Sequence, residues 1–148
     1  MLRCVKTPAE LTELFRARGR KVTPQRQAIF AALEANPSHP TAEAVYSVVS
    51  ERMPTISRRT VYQTLNDLAE MGEIIQIDLG TGASRFDPNV DPHHHLVCES
   101  CGLVVDVAGD STDIAVPEHE LRGFEMSTTE IIFRGRCPEC RATAAAPC

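Results

Sequence analysis

The stretch ISRRTVYQTLNDLAEMG, residues 56–72, decides the fold of this chain. Ser57 can cap the first turn of a helix, and Gly72 can end that helix in a left-handed conformation. Apolar residues recur between them at helical spacing and predict the buried side: Val61, Leu65, Leu68 and Ala69. The opposite side carries groups that can hydrogen-bond to base edges and phosphates: Arg58, Arg59, Tyr62, Gln63 and Asn66. An ordinary solvated face would carry more Glu and Lys, so the stretch favours a helix that contacts DNA.

Three more helices are predicted upstream of this stretch, because a hydroxyl side chain stands where each would begin. The residues that open them are Thr7-Pro8, with Glu10 completing a capping box, Thr23-Pro24, and Thr41. The third helix is expected to turn three valines inward: Val45, Val48 and Val49. Downstream, the segments EIIQIDL and ASRF flank Gly80-Thr81-Gly82 and predict a β-hairpin. A pair of helices followed by a hairpin outlines a winged helix-turn-helix.

The composition sets broad limits. The chain has 148 residues, of which 43% are hydrophobic, so it is long enough for one domain or two small ones and is neither fibrous nor wholly disordered. Its apolar runs are only a few residues long, whereas a bilayer-spanning helix needs about 20. The N-terminal stretch MLRCVKTPAELTELF lacks the apolar core of a secretory signal. We therefore expect a cytoplasmic protein with no membrane partner, in which paired cysteines indicate a metal before a disulfide.

Charge is distributed unevenly along the chain. The formal net charge is −5, from 15 basic and 20 acidic residues. Residues 92–148 hold four basic and nine acidic residues. Residues 1–30 hold only two acidic residues, Glu10 and Glu13, against seven basic ones: Arg3, Lys6, Arg16, Arg18, Arg20, Lys21 and Arg26. This asymmetry fits a front half that contacts a polyanion, although a solvated charged face would look the same.

The segment PNVDP, residues 88–92, predicts a boundary between two domains. The expected parts are a winged-helix DNA-binding domain over 1–87, a hinge over 88–92, and a second domain over 93–148. In the second domain HLVC, LVVDV and EIIFRGRC predict strands, while Pro117 interrupts a weakly helical stretch over 110–122. Such a small domain buries little apolar area, so we expect a metal or a partner chain to stabilise it.

Two matched cysteine hooks, Cys98-x2-Cys101 and Cys137-x2-Cys140, can supply four thiolates to one tetrahedral zinc ion. The alternatives are a redox dithiol or inert buried thiols, but redox pairs rarely come as two matched hooks. A closed shell of four cysteines leaves no open coordination position, so this zinc would support folding. The two remaining cysteines lie near the termini and are interpreted as bystanders: Cys4 and Cys148.

Histidines are concentrated near the predicted boundary. Adjacent residues of a strand point to opposite faces, so His93 and His95 share a face that excludes His94. These two imidazoles could bind one metal ion, to which three other residues could add ligands: His39, Asp87 and Asp106. The alternative is a fortuitous polar patch, with His39 merely capping a loop.

The chain resembles the Fur (ferric uptake regulator) family, and within it the peroxide-sensing PerR branch. The motifs that carry the resemblance span residues 19–140: KVTPQRQAIFAAL, SHPTAEAVY, ISRRTVYQTLNDLAEMGEI, SRFD, HHHLVCESCG and GRCPEC. The resemblance implies an α+β fold, with an N-terminal winged helix-turn-helix domain and a small C-terminal α/β dimerisation domain that holds a four-cysteine zinc site. It further implies a metal-dependent homodimeric repressor of transcription, which binds a double-stranded DNA operator and contains structural Zn(II) and regulatory Fe(II) or Mn(II).

Carried over by position, the PerR-type regulatory metal site is implied to be His39, Asp87, His93, His95 and Asp106. Iron-sensing Fur members usually have Glu at the position of Asp87, and the shorter carboxylate is associated with sensitivity to peroxide. The resemblance implies that bound iron reacts with peroxide and oxidises His39 or His93 to 2-oxo-histidine, after which the repressor leaves DNA.

Some positions depart from the family pattern. Thr129 and Pro92 stand where many Fur proteins have the histidines of a second exchangeable metal site, so that site is not expected here. Gln63 stands where many Fur proteins have Arg, so the family's operator sequence does not transfer to this chain. Pro117 breaks the helix from which the family's dimer contact would be expected.

Two other functions compete with a peroxide-sensing repressor. The first is a Fur-family sensor of iron, zinc, manganese or nickel level without oxidation chemistry. The second is a non-haem iron enzyme, because histidines and a carboxylate can also form an oxygenase site. Five protein ligands would leave little room for substrate and oxygen together, so we expect no enzyme and no small organic substrate.

Overall fold

The computed structural model describes residues 6–36, 38–80, 82–109 and 114–144 of the chain. It divides into two compact units, Met1–Asp91 and Pro92–Cys148, and the division falls within the Pro-rich segment 88–92. The helices are α1 (Pro8–Ala17), α2 (Pro24–Glu34), α3 (Ala42–Arg52), α4 (Arg58–Glu70) and α5 (Pro138–Ala144). The strands are β1 (Ile75–Ile77), β2 (Arg85–Asp87), β3 (His94–Cys98), β4 (Val104–Val107) and β5 (Ile132–Gly135).

The four helices of the first unit begin at the hydroxyl residues that predicted them. The side chains that accept a hydrogen bond from a first-turn N–H group are Thr7, Thr23, Thr41 and Ser57. Thr7 and Glu10 form the complete capping box. After α1 and α4 the chain turns at Gly19 and Gly72, whose φ angles are 67° and 74°. Such positive angles favour glycine, so the sequence located both helix ends correctly.

One continuous apolar core joins α1–α4 and the hairpin. At its centre the rings of Phe15 and Phe30 meet edge to face, with centroids 4.9 Å apart. The prediction that Val48 faces this core is wrong, because its side chain is 49% exposed. Val45 and Val49 set the inward direction of α3, and Val48 lies roughly 90° around the helix from that direction.

The predicted hairpin is formed by antiparallel pairing of β1 with β2, which aligns Gln76 with Phe86. It is attached to the helical part of the unit through the loop before α3. Thr41 forms an isolated antiparallel bridge with Arg85, and Phe86 N–H donates to the carbonyl oxygen of Pro40 at 3.0 Å. The hairpin therefore holds the loop that contains His39.

The second unit contains a three-stranded sheet in the order β4-β3-β5. β3 pairs antiparallel with β4 and parallel with β5, so all three predicted strands are confirmed. In the weakly helical stretch, residues 110–113 lie outside the described residues, and a single 3-10 turn, Glu118–Glu120, follows Pro117. The α+β class is confirmed. Among the described residues no helix has the length and apolar character required to cross a bilayer.

Candidate metal centres and DNA-contacting helix

The two cysteine hooks meet at one end of the three-stranded sheet. Parallel pairing aligns Cys98 with Gly135, which brings the second hook beside the first. The four cysteines have sulfur atoms within 4.8 Å of one another: Cys98, Cys101, Cys137 and Cys140. The Cys101 and Cys137 sulfurs are 3.8 Å apart. Four Zn–S bonds of about 2.3 Å in a tetrahedron require an S–S separation of about 3.8 Å. The donors and their spacing therefore fit one zinc ion.

Hydrogen bonding within this cluster favours one thiolate before any metal is bound. The backbone N–H of Cys137 donates to the Cys98 sulfur at 3.3 Å. This hydrogen bond is the main reason that the pKa of Cys98 is lowered to about 6. The nearby sulfurs of Cys137 and Cys101 raise the pKa of Cys140 to about 12. A zinc ion must displace the proton of Cys140, so its binding competes with protons.

His39 and Asp87 form a buried pair in the first unit. His39 Nε2 lies 3.2 Å from Asp87 Oδ2, and the two side chains are 2% and 1% exposed. His39 has a φ of 55°, which lies in the left-handed region that few non-glycine residues adopt. Arg85 Nη1 donates to the carbonyl oxygen of His39 at 3.2 Å. The hairpin strand that carries Asp87 thus also fixes the backbone of His39.

The residues after Asp87 orient its carboxylate. Asn89 N–H donates to Asp87 Oδ1 at 2.7 Å, and Asp91 N–H donates to Asn89 Oδ1 at 3.2 Å. Each contact is a side chain that accepts from the backbone two residues later, as in an Asx turn. Because Oδ1 of Asp87 is engaged by Asn89, Oδ2 is the oxygen that faces His39.

His93, His95 and Asp106 lie together in the second unit. The β3–β4 register places His95 directly opposite Asp106. The Nε2 atoms of His93 and His95 are 3.0 Å apart, and they lie 3.3 and 3.9 Å from Asp106 Oδ1. His94 points away from this group, and its Nδ1 accepts a hydrogen bond from Ile131 N–H. Two imidazole nitrogens and a carboxylate oxygen are donors that suit Fe(II), Mn(II) or Zn(II).

Glu130 contacts this group and was not predicted from the sequence. Its Oε1 lies 2.9 Å from His95 Nδ1. A carboxylate accepts hydrogen bonds, so Nδ1 donates in this contact and Nε2 is the ring nitrogen that faces His93 and Asp106. Glu130 and His95 are 35 residues apart and meet only because β3 pairs with β5. No local pattern in the sequence could have indicated this contact.

The outward side of α4 presents all five predicted DNA-contacting residues to solvent: Arg58, Arg59, Tyr62, Gln63 and Asn66. Val61, Leu65 and Leu68 are fully buried on the opposite side. The separation of the two sides therefore follows the sequence pattern. Ala69, which was placed on the buried side, is only half-buried.

Two of these outward residues also have partners within the first unit. Arg58 pairs with Glu43 at 3.1 Å, and its guanidinium lies 4.3 Å from the ring centroid of Tyr46. Gln63 Nε2 donates to Asp67 Oδ1 at 3.1 Å. Arg58 is therefore held beside an acid that competes with phosphate, whereas Gln63 retains an amide oxygen and a second N–H hydrogen.

Several of the basic residues near the N-terminus form ion pairs inside the first unit. Lys6 pairs with Glu73, and Arg16 pairs with Glu13. Arg20 and Arg26 both pair with Asp67, whose side chain is 3% exposed. The excess of basic residues in this half is therefore a poor measure of the charge available to a polyanion. The sequence did not identify Asp67 as a buried acid, although it lies between a predicted outward residue and a predicted buried one.

A model of the "Ferric uptake regulator family" matches residues 17–134. The chain belongs to the ferric uptake regulator family. The "Peroxide-responsive repressor PerR" of Staphylococcus epidermidis is 35% identical over 127 residues, which cover 85% of each protein. These findings make the chain a metal-responsive regulator of the Fur family, and they exclude the alternative of a non-haem iron enzyme.

Solved structures of this family resemble the chain over most of its length. The ferric uptake regulator of Francisella tularensis with iron is 26% identical, covers 83% of this chain and 96% of its own, and gives a TM-score of 0.70. PerR from Streptococcus pyogenes is 26% identical, with coverages of 94% and 96% and a TM-score of 0.52. The similar structures thus include an iron-bound ferric uptake regulator as well as a peroxide-sensing PerR. The fold is therefore compatible with sensing of iron and with sensing of peroxide.

Proposed function

We propose that this Fur-family chain is a metal-dependent, homodimeric repressor of transcription that senses peroxide through iron-catalysed oxidation of a ligand histidine. The observation that carries the proposal is the pair of preformed donor groups, His39 with Asp87 and His93 with His95 and Asp106. The similarity to a peroxide-responsive repressor and the presence of Asp at position 87 both support it.

The two donor groups are proposed to bind one regulatory ion. Together they offer three imidazole nitrogens and two carboxylate oxygens, a set that suits Fe(II) or Mn(II) and excludes soft ions such as Cu(I). Asp87 and His39 belong to the first unit, while His93, His95 and Asp106 belong to the second. An ion that takes ligands from both units would couple the DNA-contacting helix to the other half of the chain.

The four-cysteine cluster is proposed to hold structural Zn(II). Its donors fit that ion, and a closed tetrahedral shell leaves no position for a reacting ligand. Removal of this zinc would therefore affect folding, whereas removal of the regulatory metal would affect DNA affinity.

Homodimerisation is supported by an exposed apolar face on the sheet of the second unit. Leu96 pairs with Val105 on one side and with Phe133 on the other, so the three side chains share one face. Each of them is 45% exposed. Apolar side chains in register on a sheet are typical of a surface that another chain covers. In a two-fold dimer, the two copies of α4 would have to match half-sites about 34 Å apart or a multiple of that distance.

Peroxide sensing requires an oxidisable ligand. Bound Fe(II) would supply the electron that cleaves hydrogen peroxide, a chemistry that Mn(II) supplies poorly. One oxygen atom of the peroxide would enter the ring of His39 or His93 and give 2-oxo-histidine, which is a weak ligand, while the other oxygen atom would leave as water. In this net reaction the ring loses two electrons to the peroxide, so the iron would end as Fe(II). Without that ligand the metal would no longer couple the two units, and the repressor would dissociate from DNA.

The test compares DNA binding by the full-length protein loaded with Fe(II), Mn(II) or Zn(II), each before and after peroxide. The probe is a duplex selected from a random-sequence library with the Mn(II) form. We expect each metal to support binding, and peroxide to abolish binding by the Fe(II) form only. Mass spectrometry reports the chemistry separately. Trypsin should release His39 within peptide 27–52, which contains neither Met nor Cys, so the mass of one added oxygen in it is readily attributed.

Matched variants separate the parts of the proposal. Asp87→Ala should lose metal-dependent DNA binding while it keeps its zinc. Asp87→Glu should bind DNA when loaded with metal but should resist peroxide, since iron-sensing members of the family usually have Glu at this position. If the Asp87→Ala protein bound DNA as tightly as the metal-loaded wild type, and a chelator did not change that affinity, the proposed metal-dependent switch would be wrong.

A second candidate function is a sensor of metal level without oxidation. The similarity to an iron-bound ferric uptake regulator favours it. In that case the Fe(II) form would keep its DNA affinity after peroxide, and no oxygen would appear on the peptides that contain His39 or His93.

A further inference from the structure

Gln63 projects from the outward side of α4, and its amide is held in one orientation. Its Nε2 donates a hydrogen bond of 3.1 Å to Oδ1 of Asp67, one helical turn later. Asp67 in turn receives hydrogen bonds from Arg20 on Oδ1 and from Arg26 on Oδ2. A carboxylate between two guanidinium groups only accepts hydrogen bonds, so it binds the NH2 end of the Gln63 amide and repels the carbonyl end.

This contact determines which groups Gln63 can offer to DNA. An unrestrained glutamine can give both N–H hydrogens of its amide to a base that presents two acceptors. Asp67 takes one of these hydrogens. Gln63 therefore presents one remaining N–H donor beside one carbonyl acceptor, and its side chain is exposed.

One donor beside one acceptor matches the major-groove edge of adenine, where N7 accepts and the N6 amino group donates. Guanine presents two acceptors at the same edge, N7 and O6, so the Gln63 carbonyl would face O6 with no hydrogen between them. Thymine and cytosine each offer only one hydrogen-bonding group at this edge. Adenine is the base that satisfies both free groups of the restrained amide.

We propose that Gln63 reads an adenine in the major groove and that Asp67 is the positioning residue for its amide. This assignment rests on the proposed function, in which α4 contacts the operator, and it adds the base that one residue selects. Because the salt-bridged carboxylate is already in place in the free protein, the orientation of Gln63 does not have to be established on binding.

The experiment selects binding sites from a random duplex library with the full-length, Mn(II)-loaded protein. Wild type is compared with Gln63→Ala, Gln63→Arg and the control Gln27→Ala. Gln27 is an exposed glutamine on α2 and lies outside the proposed DNA-contacting set. We expect the motifs selected by wild type and by Gln27→Ala to share one position per half-site at which adenine is preferred. Gln63→Ala should show no base preference at that position. Gln63→Arg should prefer guanine there, because arginine offers two donors.

Measured affinities give the size of the effect. Replacement of that adenine by guanine should weaken wild-type binding by about 5- to 150-fold, the usual discrimination of a bidentate contact, and should leave Gln63→Ala affinity unchanged. If Gln63→Ala changed the base preference at no position of the motif, or at a position where wild type does not prefer adenine, the assignment of Gln63 would be overturned and the proposed function would stand. Failure of the Mn(II)-loaded wild type to enrich any sequence would overturn the proposed function and the assignment with it.

Discussion

The two ring nitrogens of His95 face different partners. Nδ1 lies 2.9 Å from Glu130 Oε1, and Nε2 lies 3.0 Å from His93 Nε2. A carboxylate behind a ligating histidine fixes the tautomer of the ring and raises its basicity. We therefore assign Glu130 a supporting role for the proposed regulatory ligand His95.

Glu130→Ala should weaken Mn(II) binding by about 10- to 100-fold, the usual cost of losing such a support. Glu130→Gln should lose less Mn(II) affinity, because its amide oxygen can still accept a hydrogen bond from Nδ1 of His95. Competition with a fluorescent chelator measures the affinity, and zinc content should stay unchanged. Glu125→Ala, which removes an exposed acid from the same unit, is the matched control. Equal Mn(II) affinity in wild type and Glu130→Ala would contradict this role.

At the residue scale the sequence supplied candidates whose chemistry is local. His93 and His95 were placed on one face by strand alternation alone, and their Nε2 atoms lie 3.0 Å apart. Glu130 could not be found, because its contact with His95 depends on parallel pairing of strands distant in the chain. Asp87 and His39 were named from the sequence as possible further ligands and again through the family resemblance, and the fold of the hairpin explains their contact.

At the scale of elements, a buried acid joins α4 to α2 and to the segment between α1 and α2. Asp67 pairs with Arg20 and Arg26, whose side chains are 30% and 17% exposed. Loss of one partner from a buried ion pair costs about 3–5 kcal/mol, and partial exposure of the arginines reduces that cost. Asp67→Asn should therefore lower the free energy of unfolding by about 2–4 kcal/mol. Urea unfolding of the first unit, followed by circular dichroism, measures it.

Glu70→Gln is the control for that measurement. Glu70 also pairs with Arg20, but its side chain is 69% exposed, so its loss should cost at most about 1 kcal/mol. Equal destabilisation by the two substitutions would contradict a special role for the buried Asp67.

Helices and strands differ in how well the sequence located them. Caps, prolines and glycines act within a few residues, so the starts of α1–α4 and the turns at Gly19 and Gly72 were predicted correctly. Val48 was misplaced because it lies beside two buried valines, and spacing alone did not show how wide the buried face of α3 is. The sheet order β4-β3-β5 requires pairing across the segment between β4 and β5, for which no local signal exists.

At the scale of the whole molecule, the two units should respond differently to loss of zinc. The first unit has a continuous apolar core, whereas the second is a small sheet beside a four-cysteine cluster. We expect Cys137→Ser, or a strong chelator, to unfold residues 92–148 and leave residues 6–87 protected. Hydrogen exchange resolved by peptide measures both regions in the full chain. Equal protection of 92–148 with and without zinc would show that the metal does not support this fold.

The proposed dimerisation would join the second unit to the function of the first. If a second copy covers the apolar face of the sheet, Leu96→Glu would place a charge in that interface, next to Val105 and Phe133. Burial of an unpaired charge costs several kcal/mol, so the dimer dissociation constant should rise roughly 100-fold or more. Analytical ultracentrifugation measures the dimer, and the selected duplex should bind more weakly because two linked half-sites are no longer engaged together. Val48→Glu alters a similarly exposed valine in the first unit and should stay dimeric. A dimeric Leu96→Glu protein would show that this face is not the interface.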